Sequence, residues 1–257
     1  LGTPELRICH LYPELMNIYG DRGNVITLVQ RCRWRGFDVR VTPVSLGDRL
    51  DPGEHDFYFI GGGQDREQIL VCEDLSREKG EALREAIEEG AALLSICGGY
   101  QLLGDFFLTY TGEDLPGISL FDVKTAGGET RFIGNVAVAS ELAGVEGVLV
   151  GFENHSGRTH LGPGCKPLGR VIKGYGNNGG DGQEGCVYRN AVGTYLHGSL
   201  LPKNPRLADW FVLQALRRRH DLDALPPLDD SLENAAHRAA FDLILREKSW
   251  RRRFRKS

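Results

Sequence analysis

What this chain of 257 residues lacks narrows its class first. No uninterrupted apolar stretch approaches the roughly 18 residues that a membrane-crossing helix needs, so nothing reads as a transmembrane span. The amino-terminal LGTPELRICHLYP has neither a basic start nor a long apolar core, which argues against a secretory leader. Six cysteines occur without a CxxC pair or a metal-like spacing. That pattern supports no zinc site, and in a cytosolic chain the thiols stay reduced. No GxxxxGK[ST] stretch is present, so there is no P-loop. An excess of positive charge is missing too: the net charge of −4 speaks against a nucleic-acid binder. No internal repeat appears at any period. What remains, 41% hydrophobic and 26% charged, describes an ordinary globular protein. One local imbalance stands out. After Glu247 come six basic residues and no acidic one: Lys248, Arg251, Arg252, Arg253, Arg255 and Lys256. This run reads either as a solvated helix end or as a contact for anionic lipid headgroups or an acidic surface.

The informative stretch is AALLSICGGYQLLG, Ala91 to Gly104. Ala91 to Ile96 is short, small and apolar, as a buried parallel strand is. Cys97 follows at once, then Gly98 and Gly99, then Tyr100-Gln101-Leu102-Leu103, which opens a helix. At a tight strand-to-helix turn a side chain projects outward while neighbouring backbone N–H groups point at whatever binds there. Two glycines let the backbone approach a ligand without a Cβ in the way, and a helix start favours thiolate over thiol. A free cysteine ending a core strand is usually an inert small hydrophobe. The turn around Cys97 is instead the way an activated nucleophile is built.

The rest of the chain supplies a frame for that turn. Leu6–Leu11 alternates as a first strand; Asn24 caps a helix with Val25, Leu28, Val29 and Cys32 on its apolar face, and Gly36 closes it. Phe37–Val44 and His55–Ile60 read as strands, and a helix over about 77–89 leads into the elbow strand. The order and the parallel-sheet signals predict an α/β fold: an open, doubly wound, mostly parallel sheet with flanking helices. Ligands of such sheets sit outside the carboxyl ends of the strands. Gly61-Gly62-Gly63 lies there, one strand before Cys97, and offers N–H groups that could join Gly98 in an oxyanion hole, each donor worth about 3 kcal/mol of barrier. After Gly104 the periodicity changes. Arg131–Ala139 and Gly147–Phe152 read as strands of a second, more antiparallel patch. Glu153–Gly164 reads as a polar loop, and Gly174–Gly185, with six glycines in twelve residues, as a mobile loop or broad turn. Strands over 185–189 and 191–196 flank a hairpin at Arg189-Asn190. Helices are expected from Asn204 or Pro205 to His220 and from Leu232 to about Phe254. The organisation expected is one domain over 1–220, with 221–257 as a carboxyl-terminal helix and basic tail packed on it or extending from it.

Cys97-x-Gly99-x-Gln101 resembles the nucleophile elbow of class I glutamine amidotransferases. The fuller CGGYQ is similar to the CobB/CobQ-like branch, which includes the glutaminases of cobyric acid synthases. LYPELMNIYGDRGN, GGGQD, GFENHSGRTHLG and GTYLHGSLLPKNP accompany it in a set of glutaminase subunits that work with a MurT-like, Mur-ligase-like partner, and this likeness runs to about Leu216. Ser95 departs from the glycine of many relatives, ahead of the turn. The resemblance implies a flavodoxin-like architecture in which Cys97 attacks the side-chain amide of L-glutamine and releases ammonia. It implies that His197, at a strand end before Gly198, is the general base, and that Gly62 and Gly98 form the oxyanion hole. It also implies that Arg131, in GGETRFIGN, clamps the α-carboxylate of glutamine. Gln101 either touches the substrate amide or caps the elbow helix. Glu153 and His155 rank behind these. Many relatives follow the histidine with x-Glu; here Gly198-Ser199 stands instead. The group that orients His197 is therefore Asp21 or another acid of this chain, a backbone carbonyl, or a carboxylate of the partner, the last being favoured because it would couple glutaminase activity to assembly.

The same resemblance implies no metal and no cofactor in this chain, with ATP and magnesium on the partner. That partner would amidate the α-carboxylate of D-glutamate in the stem peptide of lipid II, in the cytoplasm and at the inner face of the membrane through lipid II. Two other readings remain: a glutaminase for another amidation, such as that of a corrinoid, and a non-catalytic binding protein of this fold. A first strand at Leu6 with no P-loop argues against the fused synthase form, and intact Cys97 and His197 argue against the binding protein.

Overall fold

The computed structural model describes residues 2–247, so the basic run from Lys248 onward lies outside the described residues. The chain opens with β1 (Glu5–Leu11), a 3-10 turn at Ile18–Gly20, α1 (Arg22–Trp34), β2 (Asp38–Val44), β3 (Phe57–Ile60), α2 (Asp65–Asp74), a π turn over Leu75–Lys79, α3 (Gly80–Glu88), β4 (Ala92–Ile96) and the short α4 (Gly98–Leu102). Strands β5 (Phe106–Leu108), β6 (Asp114–Pro116), β7 (Val123–Ser140), β8 (Val148–Leu161), β9 (Gly169–Lys173), β10 (Gln183–Glu184), β11 (Cys186–Tyr188) and β12 (Ala191–Thr194) follow. The helices α5 (Leu200–Lys203), α6 (Pro205–Arg217) and α7 (Ser231–Arg246) come last.

The first sheet has the order β11-β12-β4-β3-β1-β2. Its neighbours are parallel except at the edge, where β11 turns back antiparallel on β12 through Arg189-Asn190. Every residue of β3, β4 and β12 is buried. A strand has two faces, so consecutive burial means that both are covered, which is why these strands read as unbroken apolar runs and not as alternations. α1, α5 and α6 pack on one another, and α6 lies against β1 and β4. Two helices had no expectation in the sequence, the short α5 and α2, whose DREQILVCED is mostly polar and buries only Gln68, Val71 and Cys72.

The second sheet, β10-β9-β7-β5-β6 with β8 also on β7, is mainly antiparallel. Its backbone is one long ribbon of β7 and β8, in register from Val123↔Leu161 to Ala139↔Val148 with a shift between Gly127 and Phe132. The expected loop over Glu153–Gly164 is therefore a correction: β8 runs through it to Leu161. Glu153, His155, Gly157 and Thr159 alternate with outward residues and are buried, although three of them are polar. The Gly-rich Gly174–Gly185 stretch is a fastened turn, because Asn177 both donates to Gly185 O and accepts from Gly185 N–H, at 2.9 Å each. α7 rests on the ribbon through Ile244, which packs with Ala137 and Val150. Among the described residues no helix is long and apolar enough to cross a membrane.

Candidate active site

Everything that could react gathers at the carboxyl ends of the parallel strands. β4 ends at Cys97, whose backbone sits at φ +49°, ψ −103°. That left-handed φ costs a non-glycine residue about 1–3 kcal/mol and persists only where its surroundings impose it. They do so here: Cys97 N–H donates to Thr194 O of β12 at 2.9 Å and Gly99 N–H donates to Gly61 O at 3.1 Å. The two glycines are steric requirements. A Cβ on Gly99 would stand 2.8 Å from Gly61 O, and one on Gly98 would stand 2.9 Å from Gly63 N.

β12 lies beside β4 with Ile96 opposite Thr194, so the chain leaving β12 passes the elbow and brings His197 to it. The His197 backbone is fixed by β8: its N–H donates to Phe152 O at 2.7 Å, and Phe152 N–H donates to His197 O at 3.3 Å. On the far side of the ring, Nδ1 lies 3.3 Å from a carboxylate oxygen of Asp21, on the loop between β1 and α1. Both side chains are fully buried. The favoured source of the orienting carboxylate, the partner, is thus corrected: Asp21 of this chain holds Nδ1. It stands 176 positions from His197, where no sequence spacing points to it. Among the described residues Nε2 has no hydrogen-bond partner. Burial alone would lower the imidazole, but the Cys97 thiolate and the hydrogen bond and charge of Asp21 outweigh it and push His197 up to about 10.

The oxyanion-hole expectation changes by one residue. The N–H of Gly62 is already donated to Asp21, at 2.9 Å. Among the described residues the N–H groups of Gly63 and Gly98 have no acceptor, and they lie close together beside Cys97. Gly62 keeps a steric role, since a Cβ there would stand 2.9 Å from His197 Cε1. Gln101 is buried with both ends of its amide engaged: Oε1 accepts from Gln68 Nε2 at 3.0 Å and Nε2 donates to Tyr195 Oη at 3.1 Å. It braces α4 against β12, which corrects the expectation of direct substrate contact. Arg131 stands at the rim of the site. Its Nε donates to Asn154 Oδ1 at 2.9 Å and its Nη2 to Asn154 O at 3.0 Å, while Asn154 donates to the hydroxyl of Tyr19, whose ring lies on His197.

Residues placed in the second rank prove to line the buried side. His155 stacks flat on Tyr195 at 3.6 Å and its Nδ1 meets Gly157 O at 2.9 Å; burial pushes its imidazole down to about 3, so it stays neutral. Burial pushes both Glu153 and Glu184 up to about 7, against the N–H groups of Tyr175 and Gly176 in the first case and the Thr194 hydroxyl and Tyr195 N–H in the second. Glu184 had no signal in the sequence, because it sits inside the glycine-rich stretch.

A cysteine at a strained elbow, its imidazole and a buried carboxylate, all at the strand ends of an open parallel sheet, place the molecule among the thiol-dependent amidotransferases by fold and site. The chain belongs to the CobB/CobQ-like glutamine amidotransferase domain family, whose model matches residues 7–205. It is 40% identical to the lipid II isoglutaminyl synthase (glutamine-hydrolyzing) subunit GatD of Staphylococcus aureus, over 96% of this chain and 99% of that one. The GatD subunit of Streptococcus pneumoniae is also 40% identical, over 89% of this chain and 87% of its own. A probable cobyric acid synthase of Methanothermobacter thermautotrophicus is 34% identical over 80% of this chain but only 42% of that protein. Among solved structures, a glutamine amidotransferase of Thermotoga maritima shares the fold with a TM-score of 0.54 at 14% identity, covering 94% of this chain and 99% of that one.

Proposed function

We propose that this chain is the glutaminase subunit of a lipid II isoglutaminyl synthase. The observation that carries the chemistry is the Cys97–His197–Asp21 set. The Cys97 thiolate adds to the side-chain amide carbon of glutamine, and the oxyanion that forms takes the N–H groups of Gly63 and Gly98. The imidazolium of His197 gives its proton to the departing nitrogen, the C–N bond breaks, and ammonia leaves behind a γ-glutamyl thioester. His197 then takes a proton from water, whose oxygen adds to the thioester; the C–S bond breaks, glutamate leaves, and the thiolate and imidazolium are restored. Arg131 holds the α-carboxylate of glutamine. The near full-length likeness to two GatD subunits supports lipid II amidation over corrinoid amidation, where the likeness is confined to part of a longer protein. On this reading ammonia passes to a Mur-ligase-like partner that binds ATP and magnesium and amidates the D-glutamate α-carboxylate. Release of glutamate from glutamine is the test. The purified chain, alone or with such a partner, should hydrolyse glutamine, and Cys97→Ala should remove the activity while the protein stays folded. Turnover that survives Cys97→Ala ends the proposal.

A further inference from the structure

Tyr19 carries the most unexplained structure around the site. Its backbone is left-handed, φ +56° and ψ 20°, a conformation costing a non-glycine residue about 1–3 kcal/mol. Its ring packs edge-on against His197, with centroids 5.1 Å apart and planes at 73°. Yet the residue is 47% exposed, so the ring separates the imidazole from solvent instead of filling a core. The backbone on either side is pinned: Ile18 N–H donates to Gly62 O at 3.2 Å, and the Ser199 hydroxyl donates to Gly20 O at 2.7 Å. The turn stays in place and only the side chain is free to swing. What restrains it is its hydroxyl, which accepts from Asn154 Nδ2. Asn154 is in turn oriented by Arg131 through its side-chain and main-chain oxygens. The arginine read as the substrate clamp is therefore engaged, in this state, in holding a cover over the base.

We propose that Tyr19 is a cover on His197, latched through Asn154 by Arg131, and that the α-carboxylate of glutamine opens it by drawing Arg131 away. This rests on the reading of Arg131 as the carboxylate clamp. A guanidinium bonds a carboxylate roughly twice as strongly as a neutral amide oxygen, so the substrate outcompetes Asn154. Without Arg131, Asn154 loses its orientation, and the tyrosine leaves the imidazole. Specificity follows: an amide that lacks an α-carboxylate cannot release the latch, so recognition of the unreactive end of glutamine precedes exposure of the base.

The latch predicts a sign that ordinary loss of a contact does not. In steady-state glutaminase assays of the whole chain, Asn154→Ala should lower KM for glutamine about fivefold, because the substrate no longer displaces one or two hydrogen bonds. The same variant should hydrolyse a simple primary amide, butyramide, faster than wild type. Tyr19→Phe keeps the ring and loses the hydroxyl, and should shift KM in the same direction by less; adding it to Asn154→Ala should change nothing further. In an Arg131→Ala background, Asn154→Ala should leave KM unaltered. An unchanged or raised KM in Asn154→Ala, or additive effects of the two substitutions, overturns the latch. Thermal unfolding of each variant reads folding separately, and Tyr19→Phe tests the idea even if Asn154→Ala is unstable. A wild-type chain without glutaminase activity, or activity indifferent to Cys97, sinks the glutaminase reading instead, so the two failures are distinct.

Discussion

At the residue scale, the reaction turns on where one imidazole keeps its proton. Burial works against a charged His197, and the thiolate of Cys97 and the carboxylate of Asp21 work for it. When the thiolate becomes a thioester its charge disappears, and one of the two supports of the imidazolium goes with it. The ring, having just given its proton to the leaving ammonia, has no thiolate beside it to draw that proton back and is ready to act as a base toward water, so acylation itself changes His197 from acid to base. Cys97→Ala imitates the loss of that charge. In nitrogen-15 NMR titrations His197 should titrate lower in this variant than in the wild-type chain. An equal value would mean that Asp21 alone sets it. The sign also appears in stability. A His raised from 6.5 to about 10 contributes fully below the lower value, and the contribution is lost as pH climbs through the upper one. Cys97→Ala should bring that loss to lower pH.

At the scale of elements, Asn204 fastens the junction of α5 and α6 to β8. Asn204 donates to Val150 O at 2.9 Å and to Leu200 O at 2.8 Å, and accepts from Val150 N–H at 3.0 Å. Asn204→Ala strands these buried groups, and should lower unfolding free energy by about 3 kcal/mol in urea titrations; a midpoint within error of wild type would contradict that assignment. The elements nearest the elbow were legible in advance because their physics is local: β3 and β4 are apolar without alternation, and glycines follow each. The ribbon was not, for a specific reason. In β8 the inward positions are Glu153, His155 and Thr159, and polarity there signals a loop to any reading based on hydropathy. Glu153 is buried because it accepts from the turn over 174–185, Thr159 because it bonds the Tyr195 hydroxyl, and His155 because it stacks on the Tyr195 ring, partners that exist only once the fold has formed. Asp21 escaped a firm assignment for the same cause: its role depends on β1 and β12 ending at the same edge.

At the scale of the whole molecule, two buried carboxylates make stability depend on pH. Glu153 and Glu184 both rise from 4.5 to about 7 in the folded protein, chiefly through burial, with the charge of Glu153 adding to the rise of Glu184. The folded state therefore binds more protons than the unfolded one across that interval, and stability falls as pH rises from about 4.5 to 7. Glu184→Gln keeps an oxygen to accept from Thr194 and Tyr195 while removing one titration. The decline in melting temperature between pH 5 and 8 should be shallower in this variant; a parallel decline would show that Glu184 is already ionised. The pair of hydrogen bonds between Phe152 and His197 has a further consequence. Cys97 rides on the first sheet, whereas the backbone of its base is riveted to the second. The dyad is thus assembled across a seam: the peptide that carries its base is a rung shared with the second sheet, while the nucleophile belongs wholly to the first.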